Sequence, residues 1–271
     1  MSLINSQTQH LFINPSFEIT DLKKCTHLAI GAHPDDLEIM AGHGILEGQK
    51  PNQAFVGITC TDGAGSLKQG SEEELIATRK QEQLKAAELG DYLACALLNY
   101  KSSSVKNFPN KELIEDFKNI LKETEPDYIY SHNPMDKHGT HVGVCLHLLE
   151  ALKQMSYQPK AFYGCEVWRG LDWIDDSKKQ HLPIEEPQKI AELIDVFQSQ
   201  LGPGKNYTQA TLGRFQANGT YNEAMKSDQF SHVVYAVDLL PLLNTDVLEF
   251  VESHTRTLSE SVKKQITNIR S

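Results

Sequence analysis

One histidine and three carboxylates lie within the seven residues AHPDDLE at 32–38, directly after a short apolar run. His33 and Asp36 are three positions apart, so their side chains can converge on one point in a tight turn that enters a helix. Imidazole and carboxylate together suit Zn²⁺ or a similar divalent ion. Asp35 points elsewhere and is free for proton transfer, while Glu38 is interpreted as a helix-start residue or a support for the site. The heptapeptide is therefore a candidate metal site, although Asp residues at helix starts also cap free N–H groups.

A second cluster of acids and histidines, SHNPMDKHGTHVGV at 131–144, again follows a predicted strand. His138 and His141 are three positions apart where a helix is expected to begin. One imidazole from this cluster would complete a site of two His and one Asp, which leaves a position open for water. His132, at the end of the strand, is interpreted as a structural residue that could support such a site.

Apolar runs that alternate with helical patterns must position these two clusters. Strands are predicted at 27–32, 54–60, 93–99, 128–131 and 162–168, and helices at about 39–47, 72–89, 111–123 and 141–155. This alternation favours right-handed βαβ crossovers and a mostly parallel sheet covered on both faces. The expected fold is a Rossmann-like three-layer α/β fold, in which ligands bind beyond the carboxyl ends of the strands.

The C-terminal part of the chain has a different composition. Residues 202–229 are rich in Gly, Asn, Thr and Gln and too long for a simple connection, so a functional loop region or a small subdomain is expected there. A strand at 232–237 and a helix at 239–262 are predicted to follow. The whole chain, 1–271, is expected to form a single domain.

Charge and cysteine content narrow the classes of partner. The chain has 26 Lys and Arg against 36 Asp and Glu, a formal net charge of −10, which argues against nucleic acid or an anionic membrane as partner. The five cysteines are widely spaced, odd in number and without a CxxC pair, which is typical of reduced core residues. The sequence has neither a signal-peptide pattern nor a run of about 20 apolar residues, so a cytoplasmic protein is expected.

Together the two clusters resemble the PIG-L or LmbE-like family of zinc-dependent N-acetylglucosamine deacetylases. The family motif Ala-His-Pro-Asp-Asp-x-Glu is matched in full at 32–38, and the second motif, usually His-Pro-Asp-His, reads His-Gly-Thr-His at 138–141. Weaker similarities are TDGAGS at 61–66, TRKQEQLKAAELG at 78–90 and RFQANGTYNEA at 214–224. The resemblance spans most of the chain.

The resemblance implies a role for each residue of the two motifs. His33, Asp36 and His141 would hold the metal, with Zn²⁺ as the expected cofactor and another divalent ion as the alternative. Asp35 would be the general base, and His138, as an imidazolium, would polarise the amide carbonyl. The expected partner is a small-molecule N-acetylated sugar conjugate, and a homo-oligomer is left open.

Three features bear on the substrate and on the protonation of His138. Arg79 aligns with an arginine that reaches the group attached to the sugar in related deacetylases, or else it lies on a helix surface. Thr140 stands where the family usually has Asp, which leaves the imidazole of His138 without a neighbouring carboxylate unless Asp136 supplies one. The segment NYKSSS at 99–104 replaces a region in which sugar-specific members often have an aspartate.

Three hypotheses of function follow from these observations. The first is a zinc-dependent N-deacetylase acting on an N-acetylglucosamine-type conjugate. The second keeps the metal but hydrolyses another N-acylated amine, and the third is a non-catalytic metal-binding or sugar-binding protein. Release of acetate from N-acetylated sugars would support the first hypothesis, release of another acid the second, and release of neither acid the third.

Overall fold

A computed structural model describes residues 4–5, 9–15, 19–65, 70–201, 204–222 and 224–271. The described strands are β1 (Gln9–Ile13), β2 (His27–Gly31), β3 (Phe55–Thr61), β4 (Ala94–Tyr100), β5 (Tyr128–His132), β6 (Ala161–Cys165), β7 (Lys179–Pro183) and β8 (Val233–Asp238). The described α-helices are α1 (Asp36–Met40), α2 (Gly42–Glu47), α3 (Glu72–Leu89), α4 (Ser102–Lys106), α5 (Lys111–Thr124), α6 (Gly139–Met155), α7 (Pro187–Asp195), α8 (Tyr207–Thr220) and α9 (Val247–Arg270). Short 3-10 helices lie at Ile19–Lys24, Asp176–Lys178, Gln198–Gln200 and Leu240–Leu243.

In the part of the chain that the structure describes, the strands form one sheet in the order β1-β4-β3-β2-β5-β6-β8-β7. Its centre, from β4 through β3, β2 and β5 to β6, is parallel, and the outer strands β1, β8 and β7 join through antiparallel pairs. The chain runs outward from β2 through β3 to β4 and then returns to β5 on the other side of β2. The strand order therefore reverses at β2 and β5, where an open α/β sheet binds its ligands.

Buried apolar side chains cover both faces of the sheet, as the predicted three-layer fold requires. Leu28 and Ile30 of β2 belong to a core that includes residues of α5 and α6, whereas Ala29 faces a second core with residues of α1, α2, α3 and α7. All five cysteines are free and buried, which confirms their interpretation as reduced core residues. None of the described helices combines the length and the apolar character needed to cross a membrane.

The helix predicted at 72–89 is confirmed at both ends, because its start and stop signals are local. The Ser71 hydroxyl accepts the backbone N–H of Glu74, and the Glu74 carboxylate accepts the N–H of Ser71, which forms a capping box. Gly90 follows the last helical residue. The helix predicted at 39–47 is instead two short helices, since Ala41 departs from helical geometry between α1 and α2.

Two predictions for the C-terminal part differ from the structure in part. The segment 202–229 contains the helix α8, which is capped by Asn206 and buries Phe215. Only a narrow face of α8 is buried, so the polar composition of the segment did not indicate a helix. The helix predicted at 239–262 is divided, because a 3-10 turn with Pro241 ends before Asp246 caps the start of α9. No sequence pattern predicted β1, β7 or α7, and the strand predicted at 162–168 ends at Cys165.

Candidate metal centre and active site

The motif at 32–38 forms the tight turn from β2 into α1. Asp35 has a φ of 96°, a left-handed conformation that costs an ordinary residue about 1 kcal/mol or more. Asp36 Oδ2 accepts the backbone N–H groups of Ala32 at 3.1 Å and His33 at 2.7 Å. The turn is therefore fixed by the same carboxylate that the sequence analysis assigns to the metal.

Three atoms from the two clusters converge at the floor of a pocket. His33 Nδ1 lies 3.2 Å from Asp36 Oδ2, His141 Nε2 lies 3.3 Å from the same oxygen, and His141 Nε2 lies 3.2 Å from His33 Nδ1. Ligand atoms bound tetrahedrally at about 2.0–2.1 Å from Zn²⁺ lie about 3.3–3.4 Å apart, which matches this triangle. Asp36 and His141 are buried, and His33 is partly exposed.

His141 is oriented by carboxylates on both sides of its ring. Its Nε2 faces Asp36, while its Nδ1 lies 3.4 Å from Asp136 Oδ2. Burial lowers the pKa of His141, but Asp36 and Asp136 outweigh it and raise the pKa to about 9. In the metal-free protein the proton on this ring therefore supplies the positive charge that the two carboxylates require.

His132 supports the centre from behind. Its Nε2 accepts the backbone N–H of Ala32 at 2.9 Å, and its ring stacks on that of His141 with centroids 3.8 Å apart. Burial and the neighbouring His141 lower the pKa of His132 to about 4, so the ring is neutral at neutral pH. Asp36, His132 and His141 also form a set within metal-ligating distance, but the Nε2 lone pair of His132 is already engaged by Ala32.

His138 lies next to the proposed ligands, on the pocket wall. Its ring centroid is 4.9 Å from that of His33 and 4.8 Å from that of His141, and the three rings form a second set within metal-ligating distance. Burial, His141 and His33 lower the pKa of His138 to about 4. In the metal-free protein the His138 ring is therefore neutral at neutral pH, with one N–H donor, and its role as an imidazolium stays a prediction.

Asp136 supplies a carboxylate next to the second motif, in which Thr140 stands where the family usually has Asp. Its Oδ1 accepts the backbone N–H of His138 at 2.9 Å, and its Oδ2 accepts that of Trp168 at 3.2 Å and faces the ring of His141. The carboxylate therefore orients His141 and the backbone at the start of α6. Thr140 is buried, and its hydroxyl has no hydrogen-bond partner within the described residues.

Asp35 and Arg79, an acidic and a basic residue, both line the pocket. Burial and the adjacent Asp36 raise the pKa of Asp35 well above its usual range, and Arg79 partly offsets this effect. Arg79 is only 3% exposed, and its Nη1 donates to the carbonyl of Gly63 at 2.6 Å. The alternative of a helix-surface arginine is therefore wrong. Gly63 has a φ of 75°, and a Cβ there would meet the Arg79 side chain at 2.6 Å.

Glu38 lies in the first turn of α1 and supports the turn from the core side. It is fully buried, and its Oε1 accepts the hydroxyl of Tyr92 at 2.7 Å and the amide of Gln83 at 2.9 Å. Burial raises the pKa of Glu38 to about 7. These hydrogen bonds fix α1 against α3, and thus fix the motif beside the helix that carries Arg79.

The pocket above this floor has a volume of about 1050 Å³. It is lined by the predicted residues His33, Asp35, Asp36, Arg79 and His138 and by Ser102 of the segment 99–104. Residues that were not expected from the sequence also line it, among them Lys106, Trp168, Lys205 and Tyr207. These additional residues lie in segments that carry no motif. They reach the pocket because their segments follow β4, follow β6 or precede α8. Trp168 packs edge-on to Tyr207 at 6.0 Å, with the Lys205 ammonium 6.0 Å from each ring.

Residues 28–152 match the family model PIG-L, described as GlcNAc-PI de-N-acetylase. This segment of the chain is similar to the PIG-L family. The matched segment runs from β2 through α6 and contains both motifs at the switch point of the sheet. A comparison with proteins of curated function found no significant match.

Solved structures share the fold of this chain at low sequence identity. N,N′-diacetylchitobiose deacetylase from Pyrococcus horikoshii, in complex with its inhibitor, is 18% identical with a TM-score of 0.61, over 82% of this chain and 88% of that one. The 4-carboxy-2-hydroxymuconate hydratase from Pseudomonas putida is 17% identical with a TM-score of 0.61, over 79% and 95% of the two chains. A zinc-inhibited form of teicoplanin deacetylase is 11% identical with a TM-score of 0.56, over 79% and 97%. At these identities the similarity establishes the α/β fold.

Proposed function

We propose that this protein is a metal-dependent hydrolase that removes the N-acetyl group from an N-acetylglucosamine-type conjugate. The observation that carries the proposal is the triangle of His33 Nδ1, Asp36 Oδ2 and His141 Nε2, with sides of 3.2–3.3 Å, at the floor of the pocket. The family match supports the substrate class, because the PIG-L model is that of a GlcNAc-PI de-N-acetylase.

The donor set fits a divalent ion of the first transition row. Two imidazoles and one carboxylate suit Zn²⁺, and such a set leaves one position for water or substrate. Asp136 beside the outer nitrogen of His141 is the carboxylate partner that ligating histidines usually have. His33, Asp36 and His141 would therefore hold the ion, and a bound ion would supply Lewis acidity toward water and the acetamide carbonyl.

Asp35 would carry the proton through the reaction. Its raised pKa allows the carboxylate to accept a proton from the attacking water and later to return it to the leaving amine. His138 would donate its ring N–H to the carbonyl oxygen as negative charge develops there. Arg79, beside Asp35 in the pocket wall, would contact the substrate, and its Nε has no hydrogen-bond partner within the described residues.

The pocket volume supports a conjugate as the substrate. Ligand pockets of about 300–1,000 Å³ hold drug-sized molecules, and the 1050 Å³ here exceeds the needs of one acetamido sugar. The indole of Trp168, 39% exposed beside Tyr207 and Lys205, offers a flat surface for the group attached to the sugar.

Metal analysis and a screen for acid release test the proposal together. Purified protein should carry about one divalent ion, and it should release acetate from at least one N-acetylated sugar conjugate. Zinc should be titrated alongside other divalent ions, because one structural neighbour is a zinc-inhibited deacetylase. Release of another carboxylic acid would indicate a different N-acyl substrate. Metal-loaded protein that releases no acid from a broad panel of conjugates would contradict the proposal.

A further inference from the structure

The second half of α9 extends away from the body of the protein. Phe250 is buried and its ring packs against that of His254, which in turn packs against Trp173, and these contacts attach the first half. Every residue from 259 to 271 is exposed. At 1.5 Å per residue, the helical part of this segment projects about 18 Å.

This exposed segment has an apolar stripe. Val262 is 46% exposed, Ile266 47% and Ile269 79%, and their spacing of four and then three residues puts them on one face of the helix. Leu248 is 72% exposed and lies on the same face four turns earlier. Ser261, on a different face, contacts Asp175 of the body. No side chain within the described residues covers the stripe.

Charge is divided between the two halves of the helix region. Residues 246–255 contain three carboxylates and no Lys or Arg, whereas residues 256–270 contain four basic side chains and one carboxylate. An antiparallel copy of the same helix would set the acidic half of each copy against the basic half of the other. A parallel copy would oppose like charges instead. The helix dipole favours the same division, and antiparallel dipoles also attract each other.

We propose that α9 is a homodimer interface, in which two copies of this chain pair through their apolar stripes in antiparallel orientation. In this arrangement Leu248 of one copy packs near Ile269 of the other, and Glu252 faces the basic segment 263–270. The helix, about 36 Å long over 24 residues, gives the pairing a contact length that a short exposed tip would lack. The pairing leaves the catalytic pocket of each copy unchanged.

Sedimentation velocity of the full-length protein over about two decades of concentration tests this interface. Wild-type protein should have the mass of a dimer and dissociate on dilution. Val262→Asp and Ile269→Asp should weaken the dimer by about 100-fold or more, since each places two charges in an apolar seam. Thr267→Asp, on the opposite face of the same exposed turn, is the matched control and should remain dimeric.

Cysteine pairing tests the orientation. An equimolar mixture of Leu248→Cys and Ile269→Cys proteins should form the mixed disulfide on mild oxidation, because the native cysteines are all buried. Disulfides only between identical variants would indicate parallel helices and overturn the proposal. A wild-type protein that is monomeric at every concentration would also overturn it. If that monomer binds anionic phospholipid vesicles and its Val262→Asp variant does not, the stripe binds a membrane and the proposal is likewise overturned. Equal dissociation of the Thr267→Asp and Val262→Asp proteins would do the same.

Discussion

Asp136 Oδ2 lies 3.4 Å from Nδ1 of His141, on the side of the ring opposite Asp36. Outer carboxylates of this kind typically contribute 10–100-fold to metal affinity, because they fix the ring and increase its basicity. We therefore expect Asp136→Asn to weaken metal binding by about 10–100-fold while an excess of metal restores turnover. Competition with a chromophoric chelator measures the affinity. Asp127→Asn, which changes a surface carboxylate paired with Lys160, is the matched control. Unchanged affinity in Asp136→Asn would remove Asp136 from the centre.

Metal binding should depend on pH through His141. The pKa of this ring in the metal-free protein is raised to about 9, so it is protonated at neutral pH and must lose its proton to bind a metal. The affinity for the metal should therefore rise as the pH increases toward 9 and level off above it. This group alone gives up to about tenfold per pH unit. Calorimetric titration in buffers of different ionisation enthalpy should show proton release on binding at pH 7. Affinity that is independent of pH between 6 and 8 would contradict the assigned protonation.

The ligand set itself can be separated from its support. Ala at His33, Asp36 or His141 should each remove most of the bound metal, because each deletes one corner of the triangle. His132→Gln should retain it, since the Nε2 of His132 already accepts the Ala32 N–H. Elemental analysis after gel filtration measures the occupancy. Full occupancy in all three Ala variants would show that the metal binds elsewhere. Loss in His132→Gln together with full occupancy in His33→Ala would favour the set of Asp36, His132 and His141.

Local sequence signals predicted the centre of the fold well. Strands β2 to β5 and helices α3 and α5 lie within a residue or two of their predicted bounds, because each has an apolar pattern and a clear boundary such as Gly90. The placement of both motifs after neighbouring strands followed from the rule for parallel sheets. The helix α8 was missed because its polar sequence buries only a few residues, among them Phe215 and Gly219.

Contacts between distant segments were beyond the sequence analysis. The outer strand β7 pairs with β8, some fifty residues later, and no local pattern encodes that pairing. From the sequence Asp136 is only a candidate partner of His138, whereas tertiary packing brings it against His141. The charge of His138 also depends on tertiary structure, because burial and the neighbouring His141 and His33 lower its pKa.

Removing the proposed base should separate catalysis from metal binding. Asp35 lies in the pocket outside the triangle, so Asp35→Asn should retain the metal and lose about 10²-fold or more in kcat. Glu74→Gln is a matched control, because it makes the same chemical change in the pocket wall and preserves a side chain that completes the capping box. Metal content and steady-state kinetics are measured on the same preparations. Near-normal turnover in Asp35→Asn would exclude Asp35 as the base.

The substitution Thr140→Asp tests the protonation of His138. Burial and the rings of His141 and His33 lower the pKa of His138 to about 4, and no carboxylate takes the position of Thr140. An aspartate there should raise this pKa toward its ordinary value near 6.5, so the ring would be cationic over a wider range of pH. An imidazolium donates a stronger hydrogen bond to a developing oxyanion than a neutral ring does. The kcat of Thr140→Asp should therefore exceed that of the wild type at acidic pH, and the gain should vanish as the pH rises past the new pKa.

Two control variants make this result interpretable. Thr140→Asn has the size of the aspartate without its charge, so a loss of activity in both variants would mean that the buried site is packed around the threonine. In a His138→Ala background the substitution Thr140→Asp should have no effect on the shape of the pH profile. Metal content should be the same in all of these proteins, because Thr140 is not among the three proposed ligands. If kcat follows the same pH profile with Asp as with Thr at position 140, His138 does not act through its protonated form.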